Sequence, residues 1–478
     1  MKHLTLLQIN DVHGYLEPHP EIVWTGEGPI TATMGGYARI ASILQAARDE
    51  NPGGVLALDC GDSFHGTPAL VRSKGRAILP VLNALGLSAM TGHWDFAWGP
   101  GHLQQLVGGL DHPFLAANCR DSEGRPGPFP PTANFEAAGV RLGVIGVAAT
   151  ILDETMPPRF AGGLTFTDGI GEVRDHAARL RGNGCELVLV LSHLGFPQDC
   201  ALADAVDGLD VIFSSHTHNR LHEAAERNGA LIFQSGCHGS FLGRLDLEVE
   251  GGRVTGHSHR LIPVTEDVPE NARMAELVAG AVTDTAEMRR RVVGRTAELL
   301  HRASTLSAPM DDVLLAAIAA AAGTEIAFSN GWRYGAPIPP GPVTEHDLFC
   351  IIPTVPPVET VEMTGAEIRR LIEASLEATF SRDPFGQRGG YLKRIRGLTF
   401  DVKIENPEGL RIQAAFGPKG APLEADALHR VAFVTRQGVP AHYGRNRAKL
   451  PVNAIDALRN WFAGNDRVTR GLGRFRLT

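Results

Sequence analysis

Hydrophobic and polar positions alternate along this chain in blocks. Short apolar runs rich in β-favouring residues, at 4–9, 55–59, 142–147, 186–191, 210–213 and 231–233, are separated by stretches whose apolar residues recur at helical spacing, among them 38–49, 77–85 and 170–181. That rhythm predicts an α/β sheet flanked by helices. The Pro- and Gly-rich segment 17–33 predicts a loop. Near Pro263 the texture changes. Residues 269–291 read as one long helix, with alanines, acids and a terminal run of arginines, suited to joining two domains. Helices at 312–322 and 365–379, followed by β-like runs at 398–404, 410–416 and 429–435, predict a second unit. The expected organisation is a first domain at 1–265, a linker helix at 266–291 and a second domain at 292–478.

Composition narrows the function. The 478 residues exceed one ordinary core, and 43% apolar with 21% charged residues is the balance of a soluble globular protein. A net charge of -8 opposes nonspecific attraction to nucleic acid or an anionic membrane, so neither is expected as a partner. An anionic substrate would have to be met by local metals or arginines. No run is long enough to span a bilayer. No charged leader precedes the first strand, which places the protein in the cytoplasm as written, or in the periplasm if an export signal has been removed. The six scattered cysteines form no close ligand pair and are expected to be buried thiols.

Candidate chemistry gathers at the strand ends. The first strand runs into Asp11-Val12-His13, and in an extended segment those two side chains leave the same face. Asp62 follows Cys60-Gly61, where the glycine lets the backbone approach closely. His93 and Asp95 lie in Thr91-Gly92-His93-Trp94-Asp95, His193 follows Leu191-Ser192, and His216 and His218 lie in Ser215-His216-Thr217-His218. Carboxylates and imidazoles at successive strand ends suit borderline divalent ions, Mn or Zn first and Fe or Co after them. Two such ions need a bridging carboxylate, for which Asp62 is the candidate. His65 and His238 lie close enough in sequence to support these ligands. His102, His112, His176, His301 and His429 are read as structural or solvent-facing.

The order D-x-H, G-D, G-[NH]-x-[DE], S-H and H-T-H resembles the calcineurin-like metallophosphoesterases. Phe328-Ser329-Asn330-Gly331-Trp332-Arg333, with the later Gly341-Pro342-Val343-Thr344, resembles the 5'-nucleotidase C-terminal domain. The resemblance implies a four-layer metallophosphoesterase sandwich followed by an α+β 5'-nucleotidase-type C-terminal domain. It also implies a first metal site of Asp11, His13, Asp62 and His218 and a second of Asp62, His93, His193 and His216. At Gly92-His93-Trp94-Asp95-Phe96-Ala97 the usual G-N-H-[DE]-F-D is altered. His93 stands either in the ligand position or, with a gap, in that of the histidine that stabilises the transition state, with Asp95 beside it as a catalytic candidate. The T-G-H-W-[DE]-F variant is similar to the thiosulfohydrolase branch of the bacterial sulfur-oxidising (Sox) system. The nucleotidase G-G-D-G-Y segment is not recognisable near Val434-Thr435-Arg436-Gln437-Gly438.

What the resemblance implies is a hydrolase. Two cations sharing Asp62 would lower the pKa of a common water, which attacks in line with no protein nucleophile. Asn330, Arg333, Arg388 and Arg394 are the expected substrate contacts, guanidinium groups suiting oxyanions. Closure about the linker helix would gate the site. Three readings follow: hydrolysis of a nucleotide or other phosphomonoester, release of sulfate from a protein cysteine S-thiosulfonate, or an inactive metal-binding interaction module.

Overall fold

The computed structural model describes residues 1–467 and 473–478. Its first strand, β1 (Lys2–Ile9), lies parallel to β2 (Val55–Asp59), and β2 lies parallel to β3 (Ala89–Met90). A second sheet is built on β4 (Thr132–Ala137), β5 (Val140–Val147), β6 (Leu187–Ser192), β7 (Val211–Phe213), β8 (Ala225–Arg227) and β9 (Ala230–Phe233). The long pair β10 (Phe241–Glu250) and β11 (Arg253–Pro263) returns to the first sheet, whose order is β11-β10-β1-β2-β3. The second is ordered β8-β9-β7-β6-β5-β4, with β5, β6, β7 and β9 parallel.

Alternate side chains of the two sheets meet in one core, with Leu4, Leu6, Leu58, Leu245 and Leu247 packed among Val144, Leu189, Leu191, Phe213 and Phe233. Each such residue contributes roughly 1.5–3 kcal/mol by leaving water. Outside, α1 (Tyr37–Glu50) packs on β2, and α2 (Ile170–Gly182) packs on β5 and β6, giving four layers. Buried on both faces, the parallel strands are nearly continuous apolar runs. All their carboxyl ends therefore open on one edge of each sheet.

Two expectations are corrected. Segment 17–33 is a β-hairpin, His19–Thr25 with Gly28–Met34 in the register Val23↔Ile30; its prolines and glycines mask the strand pattern. The linker is not one helix. It breaks into α3 (Ala272–Val282), a 3₁₀ turn (Thr283–Thr285) and α4 (Ala286–Arg290). Thr283-Asp284-Thr285 are poor helix formers, and the Thr283 hydroxyl donates back to the Ala279 carbonyl at 2.7 Å, a contact that bends helices. The chain divides into compact units between Asp284 and Thr285.

The second unit has a five-stranded sheet of β12 (Ile326–Gly331), β13 (Pro357–Thr364), β14 (Tyr391–Arg396), β15 (Leu428–Val434) and β16 (Arg445–Asn453), ordered β14-β12-β15-β13-β16. Helix α5 (Pro309–Ala322) is almost wholly buried. Helix α6 (Gly365–Phe380) packs Ile368, Leu371, Ile372 and Leu376 with Phe328, Val361 and Phe433, and starts at a Thr364/Glu367 capping box. No described helix is long and apolar enough to cross a membrane.

Candidate metal centre

Five strand ends of the first unit deliver the expected ligands to one place. Asp11 and His13 follow β1, Asp62 follows β2, His93 follows β3, His193 follows β6, and His216 and His218 follow β7. Three overlapping groups each gather ligand atoms within 4.8 Å of one another: Asp11, His13 and His218; Asp11, Asp62 and His193; His93, His193 and His216. Asp62 is the hinge between them. Its Oδ2 lies 3.5 Å from His13 Nε2, 3.5 Å from His193 Nε2 and 3.8 Å from His93 Nδ1. Asp11 Oδ1 lies 3.4 Å from His218 Nε2 and 3.6 Å from His193 Nε2.

The backbone here is bent into a form that only glycine adopts freely. Asp11, His13, Asp62, His216 and His218 all have φ between 50° and 68°, so Asp11-Val12-His13 is a turn and not the extended pair expected. Left-handed non-glycine residues cost about 1 kcal/mol each and persist where surrounding structure enforces them. The enforcement is visible. Gly61 (φ +95°) lies so close that a Cβ would meet Gly92 Cα at 2.5 Å, which brings the Asp62 and His93 loops together.

Hydrogen bonds orient His193, Asp62 and Asp11. His193 Nδ1–H donates to the Cys60 carbonyl at 2.6 Å, which turns Nε2 toward the carboxylates. Asp62 Oδ1 accepts from the Trp94 amide at 2.6 Å, leaving Oδ2 for the imidazoles. Asn10 Nδ2 and the His216 amide donate to Asp11. Burial alone would push Asp62 up, but the imidazoles of His193, His13 and His93 together hold its carboxyl well below the ordinary carboxylate range. Burial would likewise lower His193, yet Asp62 and Asp11 lift it to about 10. This buried pocket therefore demands positive charge. His93 keeps both ring nitrogens, and His193 keeps Nε2, without a hydrogen-bond partner among the described residues. Orphaned imidazole nitrogens around buried carboxylates are the donor set of borderline divalent ions, so the residues fit a pair of metals.

Asp95 belongs elsewhere. Its carboxylate accepts from the amides of Asp62 (2.8 Å), Ser63 (3.0 Å), Phe64 (3.0 Å) and His93 (3.2 Å). Both oxygens are committed to backbone, so the expected catalytic role is replaced by one of positioning the Asp62 and His93 loops. Arg394 is likewise corrected. Almost wholly buried, it pairs with Asp311 at 2.9 Å and donates to the carbonyls of Ser304 and Thr305, while Arg302 holds the other oxygen of Asp311 at 2.8 Å. All three of its nitrogens thereby donate to partners within the second unit. In the second unit Asn330 is half-buried near the end of β12. Arg333 donates to the Gly390 carbonyl at 3.1 Å, and Arg388 is exposed. Glu21 was not foreseen: it accepts from His238 Nδ1 at 3.1 Å and pairs with Arg220 at 3.0 Å, bracing the loops that follow β7 and β9. Its signal was hidden in the hairpin read as a loop.

Residues 286–435 match the family model described as the 5'-nucleotidase, C-terminal domain. A probable 5'-nucleotidase of Treponema pallidum is 32% identical over 254 residues, 52% of this chain and 39% of that protein. The chain spans well under half the length of that relative. Among solved structures it shares its fold with the sulfate thiohydrolase SoxB of Thermus thermophilus, at a TM-score of 0.89 and 23% identity over 99% of this chain and 96% of the other. A 5'-nucleotidase precursor, also from Thermus thermophilus, gives 0.86 and 24%, over 99% of each chain.

Proposed function

We propose that this chain belongs to the 5'-nucleotidase superfamily and is a metal-dependent hydrolase of phosphate esters, nucleotides or other phosphomonoesters. Asp62 Oδ2, facing three imidazoles within 3.8 Å, is the observation that carries the reading, because a shared carboxylate between two nitrogen-rich groups is what a dinuclear site needs. Asp11, His13, Asp62 and His218 would hold one ion, and Asp62, His93, His193 and His216 the other. Bound there, the pair would supply Lewis acidity toward the substrate's oxygens and make water acidic near neutral pH. The chain's own work is positional. Cys60 fixes the His193 tautomer, the Trp94 amide aims Asp62, and Asp95 keeps two ligand loops in register. Asn330, Arg333 and Arg388 remain the proposed contacts for the anionic end of the substrate. Zn and Mn are the first ions to test.

A second reading, hydrolysis of a protein cysteine S-thiosulfonate, is favoured by Trp94 after His93 and by the absence of a G-G-D-G-Y segment at 434–438. One assay separates the two. Metal-loaded protein is offered nucleoside monophosphates, sugar phosphates and a thiosulfonate-carrying peptide. Phosphate release, lost by about 10³-fold or more in Asp62→Ala, supports the first; sulfate release alone supports the second. Turnover that survives Asp62→Ala at the wild-type rate sinks both.

A further inference from the structure

Three residues beyond Asp62, His65 lies 4% exposed in the same loop. Its ring is stacked on Trp94, centroids 5.0 Å apart and planes 26° apart, and Trp98 closes on it at 5.3 Å. Trp94 stands edge-on to His93 at 6.0 Å and to Phe160 at 5.6 Å. The next residue explains why the loop runs here. Gly66 has φ +136°, and a Cβ on it would fall 2.1 Å from the His13 carbonyl oxygen, so the His65 segment is pressed against the backbone of a ligand loop. No hydrogen bond to either nitrogen of His65 is found among the described residues, and neither nitrogen is fully enclosed. A buried imidazole without a protein partner meets water or a ligand. Aromatic faces hold the ring without engaging its nitrogens, which lie in the ring plane and are left for such a contact.

We propose that His65 contacts the substrate, hydrogen-bonding the tetrahedral oxyanion group beside the His93, His193 and His216 cluster. Burial and the nearby charge of Arg159 hold the ring neutral, against the pull of Asp62, so it offers one donor and one acceptor. The assignment rests on the hydrolase reading for the location of the oxyanion.

The test uses the full chain loaded with Mn, and inorganic phosphate as the probe, its affinity read by calorimetry. His65→Phe keeps the ring stacked on Trp94 but removes both nitrogens. It is expected to weaken phosphate roughly ten-fold or more while retaining the wild-type metal content by elemental analysis and the wild-type melting temperature. His65→Gln, which restores a donor, is expected to recover most of the affinity. Phosphate binding unchanged within about two-fold in His65→Phe overturns the proposal. So does metal lost in step with phosphate, which would make His65 a support for the ligand loops, or a wild-type chain that binds no phosphate. If no ester is turned over but phosphate binds and His65→Phe weakens it, the hydrolase reading fails and the contact stands.

Discussion

Replacing Asp95 by asparagine tests whether the centre is held from behind by one carboxylate. Asp95 Oδ1 accepts from Ser63 and Phe64, and Oδ2 from Asp62 and His93. Asparagine keeps one acceptor oxygen and turns an NH₂ group toward two of the four amides. Two buried N–H groups then lose their acceptor, at about 1–3 kcal/mol each, so the expected loss is about 2–6 kcal/mol, part of it borne by the loops that carry Asp62 and His93. Asp95→Ala would orphan all four amides and cost an appreciable part of a domain's whole stability, about 5–15 kcal/mol, so that variant is expected to accumulate poorly. If about half of a 3 kcal/mol loss in Asp95→Asn is felt at the ligands, metal affinity falls by roughly ten-fold. The assay is a competitive chelator titration with elemental analysis, alongside thermal melting. An Asp95→Asn protein that melts within about 1 °C of wild type and holds its metals as tightly refutes the reasoning. A change confined to kcat would restore Asp95 to chemistry.

Three further outcomes are expected. Asp311→Ala, leaving the buried guanidiniums of Arg302 and Arg394 unpaired, should lower the stability of the second unit by about 3–5 kcal/mol in urea titration; a loss under about 1 kcal/mol would contradict the pairing. Burial pushes the Lys393 ammonium down to about 8 in the folded chain. Between that value and the unfolded one near 10.4 the unfolded state binds more protons, so stability rises with pH across this window, by roughly 3 kcal/mol in all. Lys393→Met should flatten that rise, and an unchanged slope would count against it. Removing metals should lower the melting temperature, because ions at 1,000 times their dissociation constant add about 4 kcal/mol to the native state; a midpoint indifferent to chelator would argue against resident ions.

The gathering of the candidate ligands was legible because each follows an apolar strand, and parallel strands send their ends to one edge whatever the details of packing. Asp11, His13, Asp62, His93, His193, His216 and His218 needed only that rule. Asp95 was misread because proximity in sequence to His93 says nothing about which atoms its carboxylate meets; four amides from two loops were closer. Arg394 was misread because an arginine is ordinarily exposed, and only the partner Asp311, distant in sequence, makes its burial tolerable. The hairpin at 19–34 is a local pairing whose period Pro20, Pro29 and the glycines obscured, whereas β10 pairs with the distant β1. The broken helix at 283–285 shows local propensity winning over an apolar pattern that reads as continuous.

The seven ligand-type residues come from strand ends of two different sheets, and the leucines, valines and phenylalanines between those sheets set their separation. Trimming Leu6 or Leu189 therefore changes more than stability: it shifts one half of the centre against the other. An absorbing ion such as cobalt, placed at the edge, would turn that shift into a change of colour. The centre is thereby a gauge of how the core is packed, and its spectrum would report substitutions buried in the core that leave the overall melting curve almost unmoved.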